Sequence, residues 1–265
     1  MRLYWEVARR AVQRQLAYRT ENLAGLFTNA FFGYLRAAVF VAVYQNVSAT
    51  NLGGYDAHAA VSYMWITQAM IMIVALWGWW DVEETIRTGD VVSDLAKPFA
   101  YLGFWLARDI GRAAYFTVFR AAPILLAGQL LFGLHWPSSV GAWLAFGLSV
   151  VLAVLVSFGW RFLLNVSAFW TTDARGLGQL ALAATMFLGG FVVPLRYFPD
   201  WLQPWVLALP FASITQTPAD LFVERVQGTD TLLPLLGQVI WAFVLLGLAQ
   251  LATLLATRRV VFQGG

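Results

Sequence analysis

Six continuous apolar runs dominate the chain, at roughly 23–46, 58–80, 113–134, 140–169, 177–195 and 233–257. A helix needs about 20 apolar residues to cross the ~30 Å hydrocarbon core of a bilayer. Lipid offers no hydrogen-bond partners to an open strand, so runs of this kind are expected to be helices. A membrane β-barrel would show alternating segments of about ten residues instead. Composition agrees with a membrane solvent. Of the 265 residues, 60% are hydrophobic and only 12% charged, about half the charge that solvates a soluble domain. A water-soluble globular domain and a disordered chain are excluded. The expected fold is an all-α polytopic membrane protein with six transmembrane helices, forming one domain over residues 1–265.

Residues 1–20 carry arginines throughout, unlike a cleaved signal peptide. At 100° per residue, Arg2, Glu6, Arg9, Arg10, Gln13 and Arg14 fall on one half of a helix. Tyr4, Trp5, Ala8, Ala11, Val12 and Leu16 fall on the other. This pattern predicts an interfacial helix lying on the membrane; the alternative is a plain basic tail. With the N-terminus inside, twelve of the 17 Lys and Arg lie in inner segments and only Arg196 and Arg225 outside. The positive-inside rule therefore places both termini in the cytoplasm. The basic residues form no dense stripe, which argues against nucleic-acid binding. With no cysteine, there is no disulfide framework and no thiolate site.

Two segments outside the spans carry information. The inner one, 81–98, runs from an acidic stretch (Asp81, Glu83, Glu84) to Gly89, then Asp90 and Asp94, and ends at Pro98. Glycine permits a tight turn at positive φ, and proline stops a helix at the residue before it. A short helix-turn unit is expected there, with a solvated loop as the alternative. The outer segment, 196–232, is rich in Pro and Trp (Pro199, Trp201, Pro204, Trp205, Pro210, Pro218). It is too apolar for a plain loop, and short helices dipping into the outer interface are expected.

The inner segment reads Glu83-Glu84-Thr85-Ile86-Arg87-Thr88-Gly89-Asp90, then Asp94-Leu95-Ala96-Lys97-Pro98. It resembles the segment after the second span of ABC-2 type transporter permeases, closest to a subgroup of about 260 residues. Gly189-Gly190, Pro194-Leu195, Phe198-Pro199, Trp201-Leu202, Leu209-Pro210-Phe211 and Pro218 are similar to that family's pattern near spans five and six. The tail from Arg258-Arg259 to Gly265 resembles the same subgroup. The resemblance implies an exporter subunit of the bacterial cytoplasmic membrane that forms half of a translocation pathway. It implies that Glu83, Glu84, Ile86, Arg87, Thr88, Gly89, Asp90, Asp94, Leu95, Lys97 and Pro98 dock an ATPase. The chain has no G-x-x-x-x-G-K-[ST] phosphate loop, and its one lysine, Lys97, precedes a proline. The implied partners are separate ABC ATPase subunits that hold ATP and Mg, a second permease copy or paralogue, and membrane lipids; this chain is expected to bind no cofactor.

Arg36, Arg120 and Arg161 fall inside predicted spans. A central arginine costs ~2.5–3.5 kcal/mol on insertion scales. Such a residue lines a substrate pathway, or it bonds backbone carbonyls or reaches the interface. Arg120 and Arg161 sit in the cytoplasmic halves of their spans, which favours the second role; Arg36 sits near mid-span, which favours the first. His58 and His135 lie far apart in sequence, which argues against a metal site. Asp90 and Asp94 are four apart and could share a helix face with Mg²⁺, so a lipid-modifying enzyme is a rival reading. A non-transporting scaffold is another.

Overall fold

The computed structural model describes residues 2–17, 19–46, 51–171 and 174–258. Arg259–Gly265, the end of the resembled tail, lies outside them, as do the side chains of Arg19 and Arg175. Among the described residues the architecture is all helical. In chain order the helices are α1 (Arg2–Ala17), α2 (Arg19–Asn46), α3 (Ala57–Ile73), α4 (Asp81–Thr88), α5 (Val91–Leu95) and α6 (Tyr101–Phe116). A π-helical turn, Thr117–Ala121, joins α6 to α7 (Ala122–Phe132). Then follow α8 (Val140–Val166), α9 (Arg175–Leu188), α10 (Gln203–Ala208), α11 (Gln216–Phe222) and α12 (Leu232–Thr257).

Four helical stretches are long and apolar enough to cross a membrane: 22–46, 101–132, 140–169 and 228–257. They expose large apolar side chains around the bundle, including Phe27, Leu130 and Phe243, which suits contact with lipid tails. Two expected spans are shorter than the sequence predicted. The run 58–80 holds helix only to Ile73, and the run 177–195 only to Leu188. Local backbone explains both ends. After α3, Ala75 (φ 48°) and Gly78 (φ 91°) adopt left-handed conformations that end a helix; after α9, Gly190 (φ 79°) does the same. The third expected span begins earlier than predicted, because helix runs unbroken from Tyr101.

α3 is the centre of the bundle. Thirteen of its 17 residues are buried, as expected of a helix apolar on every side. α2, α7, the π turn and α11 pack around it. Close approaches between helices depend on glycine. A Cβ on Gly111 would strike the backbone of Ala8, so α1 lies tightly against α6. A Cβ on Gly128 would meet the Trp65 ring. Gly159 lets α8 approach the Leu245 backbone of α12, the small-residue contact common between membrane helices. The π turn has its own cause. Pro123, at the start of α7, lacks an N–H and its ring would press on the carbonyl four residues earlier in a regular helix. The wider turn, closed by Ala122 N–H to Thr117 O, absorbs that misfit.

The segment between α9 and α12 holds the short helices α10 and α11, and α11 enters the bundle. Gln216, Ala219, Asp220, Leu221 and Phe222 are all buried, and α11 packs on α8 and α3. Replacing Gly159 by Leu should overpack the α8–α12 contact and cost about 1–3 kcal/mol, read as a lower thermal midpoint of the purified protein in detergent.

Candidate functional site

The helix-turn unit at 81–98 is built on a fixed inner face. Val82 and Val91 are buried with Tyr101, Trp105, Phe158 and Phe162, and Ile86 and Leu95 pack on the edge of this cluster. Asn165 on α8 accepts from the Glu83 backbone N–H at 3.0 Å and donates to Trp79 O at 2.7 Å. Arg108 on α6 pairs with Asp81 and lies 4.8 Å over the Trp105 ring. The turn is made by Gly89 (φ 84°), whose N–H closes on Ile86 O. Thr88 Oγ1 donates to Asp90 at 2.9 Å, and Lys97 pairs with Asp94 at 2.6 Å.

This packing divides the eleven residues that the resemblance named. Glu84, Arg87, Thr88, Gly89, Asp90, Lys97 and Pro98 are exposed; Ile86, Asp94 and Leu95 are half-buried. Glu83 is buried, 4.0 Å from Arg87, and faces the bundle rather than a partner.

The three arginines have definite surroundings. Arg36 donates to the Phe191 carbonyl and to Val192 O at 3.4 Å, and sits 4.4 Å over the Phe191 ring. These carbonyls lie just past the end of α9. Arg161 is buried and pairs with Asp109 at 2.8 Å. Asp109 also pairs with Arg112 at 2.8 Å. Arg112 in turn donates to Met72 O and to Ile73 O at 2.8 Å, and Ser157 Oγ to Val74 O at 2.5 Å. The last carbonyls of α3 are therefore covered by a cation and a hydroxyl, the favourable polarity for a helix C-terminus. Arg120 projects from the π turn towards Gly25 on α2, where a Cβ would collide with its guanidinium.

Sequence reasoning missed a second polar cluster, at the other end of α3. The Gln216 amide oxygen accepts from Tyr63 OH at 2.7 Å and from the Leu195 N–H at 2.8 Å. Its NH₂ donates to Tyr55 OH at 2.8 Å and Asp220 at 2.9 Å. Tyr55 also donates to Asp220, and Arg196 lies 3.7 Å from that carboxylate. The available signal was Gln216 and Asp220 at i, i+4 within an apolar stretch. The distance argument about the histidines also fails: the His58 and His135 rings are 5.9 Å apart, and His135 lies 3.4 Å from Glu224. No three metal-ligating side chains converge among the described residues.

The sequence model of a family described as ABC-2 family transporter protein matches residues 32–264. This chain belongs to that family. The match takes in α3 to α12 and both polar clusters, and leaves α1 outside. No curated protein matches the sequence. An ABC-2 family protein is the membrane component of a transporter and not itself catalytic. The helix-turn unit, the Arg112–Asp109–Arg161 cluster and the Gln216 cluster all lie within the matched residues.

Two outcomes follow. Asp109→Asn leaves the buried Arg161 and the half-buried Arg112 without their carboxylate and should cost about 3–5 kcal/mol, seen in thermal unfolding. Asp220 lies outside the four long helices, and burial raises its carboxyl pKa above the usual carboxylate range. The stability it contributes is complete below the ordinary aspartate pKa and is lost as pH rises through the raised value. Asp220→Asn should remove that slope when thermal midpoints are compared from about pH 4 to pH 8.

Proposed function

We propose that this ABC-2 protein is the permease subunit of an ATP-driven exporter, coupled through α4, Gly89 and α5 to a separate ATPase. The observation that carries this reading is the two-sided build of that unit. Its inner face is set in the α6, α8 and α12 cluster, while Glu84, Arg87, Thr88, Gly89 and Asp90 present a continuous exposed tip. A partner that pushes the tip moves the helices beneath it, because buried aromatic packing transmits displacement rather than absorbing it. Glu83 is reassigned from docking to anchoring the unit.

In this reading α3 and α9 complete six crossings with the four long helices. Both termini and the α4–α5 tip face the bacterial cytoplasm, where the arginine excess favours them. The ATPase subunits hold ATP and Mg, and a second permease, identical or paralogous, supplies the other half of the pathway. Arg36 and Arg161 act on the scaffold, since their guanidinium groups are directed at carbonyls and at Asp109. A substrate role falls to Arg120, which lines a cleft of about 350 Å³, whereas Arg161 borders a pocket of only about 40 Å³.

The test is capture of an ATPase by the detergent-solubilised chain. Wild type should co-purify with an ATPase of the phosphate-loop type. Glu84→Lys combined with Asp90→Lys, both at exposed positions, should lose at least about tenfold of it, a change of ~1.4 kcal/mol, with an unchanged thermal midpoint. Absence of any ATPase with wild type under gentle conditions overturns the reading.

A further inference from the structure

The chain has two histidines, and they meet at the N-terminal end of α3. His58 lies in the first turn of α3, His135 in the connection from α7 to α8, and their rings stand 5.9 Å apart. Glu224, in the turn after α11, brings a carboxylate oxygen to 3.4 Å from His135 Nε2. The approach makes no hydrogen bond: Nε2 is buried and has no hydrogen-bond partner among the described residues. The Glu224 side chain is only 8% exposed, and its other oxygen accepts from Ser138 Oγ at 2.7 Å. A buried ring nitrogen and a buried carboxylate thus face each other across a gap that a proton would close.

The two sides of the gap belong to different units. The His135 N–H donates to Ser62 Oγ at 2.8 Å and Ser62 Oγ to His58 O at 2.8 Å, so the His135 backbone is fastened to α3. His58 Nε2 donates to the Gly133 carbonyl and adds a second tie. Glu224 follows α11 with a left-handed backbone (φ 52°), a conformation that a residue other than glycine keeps only where its surroundings enforce it. A cavity of about 300 Å³, lined by Glu224, Ser138 and the start of α8, leaves this turn room to shift. Two more charges flank the cluster in sequence, and both are engaged. Asp56 caps α3 by accepting from the Ala59 N–H at 2.7 Å, and Arg225 donates to Gly53 O at 3.1 Å. The start of α8 brings no charge.

Histidine is the side chain whose charge ordinarily changes between pH 5 and 8, a range over which a carboxylate ordinarily stays ionised. A protonated ring donates from both nitrogens, and a charge-assisted hydrogen bond is about twice as strong as a neutral one. From this geometry we propose that His135 and Glu224 form a proton-operated latch. A proton on His135 closes the gap to Glu224 and clamps the end of α11 to α3 through the α7–α8 connection. His58 limits the device, because a second positive ring 5.9 Å away would repel the first. The clamp tightens as pH falls and releases as pH rises. α11 carries Gln216 and Asp220, so the latch acts on the element that holds the second polar cluster together. That the proton comes from the outer side rests on the orientation proposed above; the latch itself rests on neither that orientation nor an ATPase.

With two histidines in the chain, NMR of the full protein in detergent with ring-labelled histidine gives two titration curves, assigned by His58→Gln and His135→Gln. Glu224→Gln should weaken proton binding at His135 about threefold, and at His58 by less. Hydrogen exchange over residues 219–226, corrected for its intrinsic pH dependence, reads the clamp. In wild type it should be about threefold slower at about pH 5.5 than at about pH 7.5. That difference should vanish in Glu224→Gln and in His135→Gln, and should persist in Asp220→Asn, which separates the latch from the titration of Asp220. Glutamine at 224 can still accept from Ser138, so this variant carries the test should His135→Gln fail to fold. A His135 titration unmoved by Glu224→Gln overturns the pairing. An exchange difference that is missing from wild type, or that survives Glu224→Gln, overturns the latch.

Discussion

Two helices of this bundle, α3 and α9, end among buried residues at Ile73 and Leu188, and the carbonyls they release must be satisfied from within. Lipid cannot supply donors, and each unsatisfied group there costs several kcal/mol. At the end of α3 the donors are Arg112, Ser157 and Asn165. At the end of α9 they are Thr215 for Gly189, Tyr63 for Gly190 and Arg36 for Phe191. Several of the buried polar residues, among them Ser157, Asn165, Thr215 and Gln216, stand at these two breaks. Much of the remaining structure can be understood as the support those donors require.

Support follows a chain of dependence. Arg112 is steered by Asp109, whose second oxygen is held by Arg161 on α8. Removing either arginine would leave Asp109 with a single partner. The other break is organised by Gln216, which uses both ends of its amide and so ties α3, α11 and the stretch after α9 into one network. Such a network is stable because every member is paired; a partly paired one in the same setting would be worse than an apolar core. Aromatic packing then fills what is left. Trp79, Trp105, Phe158 and Phe162 pack edge-on or tilted against one another beneath the α4–α5 unit and give it a floor.

Hydrophobic periodicity and length made the helices legible in the sequence, because a bilayer imposes one requirement on every span. Gly89 and Pro98 bracketed the helix-turn unit for the same local reasons that operate in the fold. The breaks after Ile73 and Leu188 were not legible. The residues there remain apolar, and what ends the helices is backbone conformation at Ala75, Gly78 and Gly190. Arg36, near mid-span, read as a pathway residue because sequence shows a charge in a span but not the carbonyl opposite it, and the Asp109 carboxylate opposite Arg161 was equally hidden. Glu83 carried the docking signature, yet helical phase turns it inward beside Val82. The nearness of His58 and His135 is a tertiary fact with no sequence counterpart.

The rod from Tyr101 to Phe132 is fixed at two points by contacts that tolerate no side chain, Gly111 against α1 and Gly128 against Trp65. Between them lies the π turn, which holds one more residue than an α-helical turn would. The number of residues separating the two glycines is therefore as strictly set as their identity. Deleting a single residue there would rotate one half of the rod by about 100° against the other, turning one glycine away from its contact. Over this stretch the chain can vary in chemistry far more readily than in length, the reverse of what holds for a surface loop.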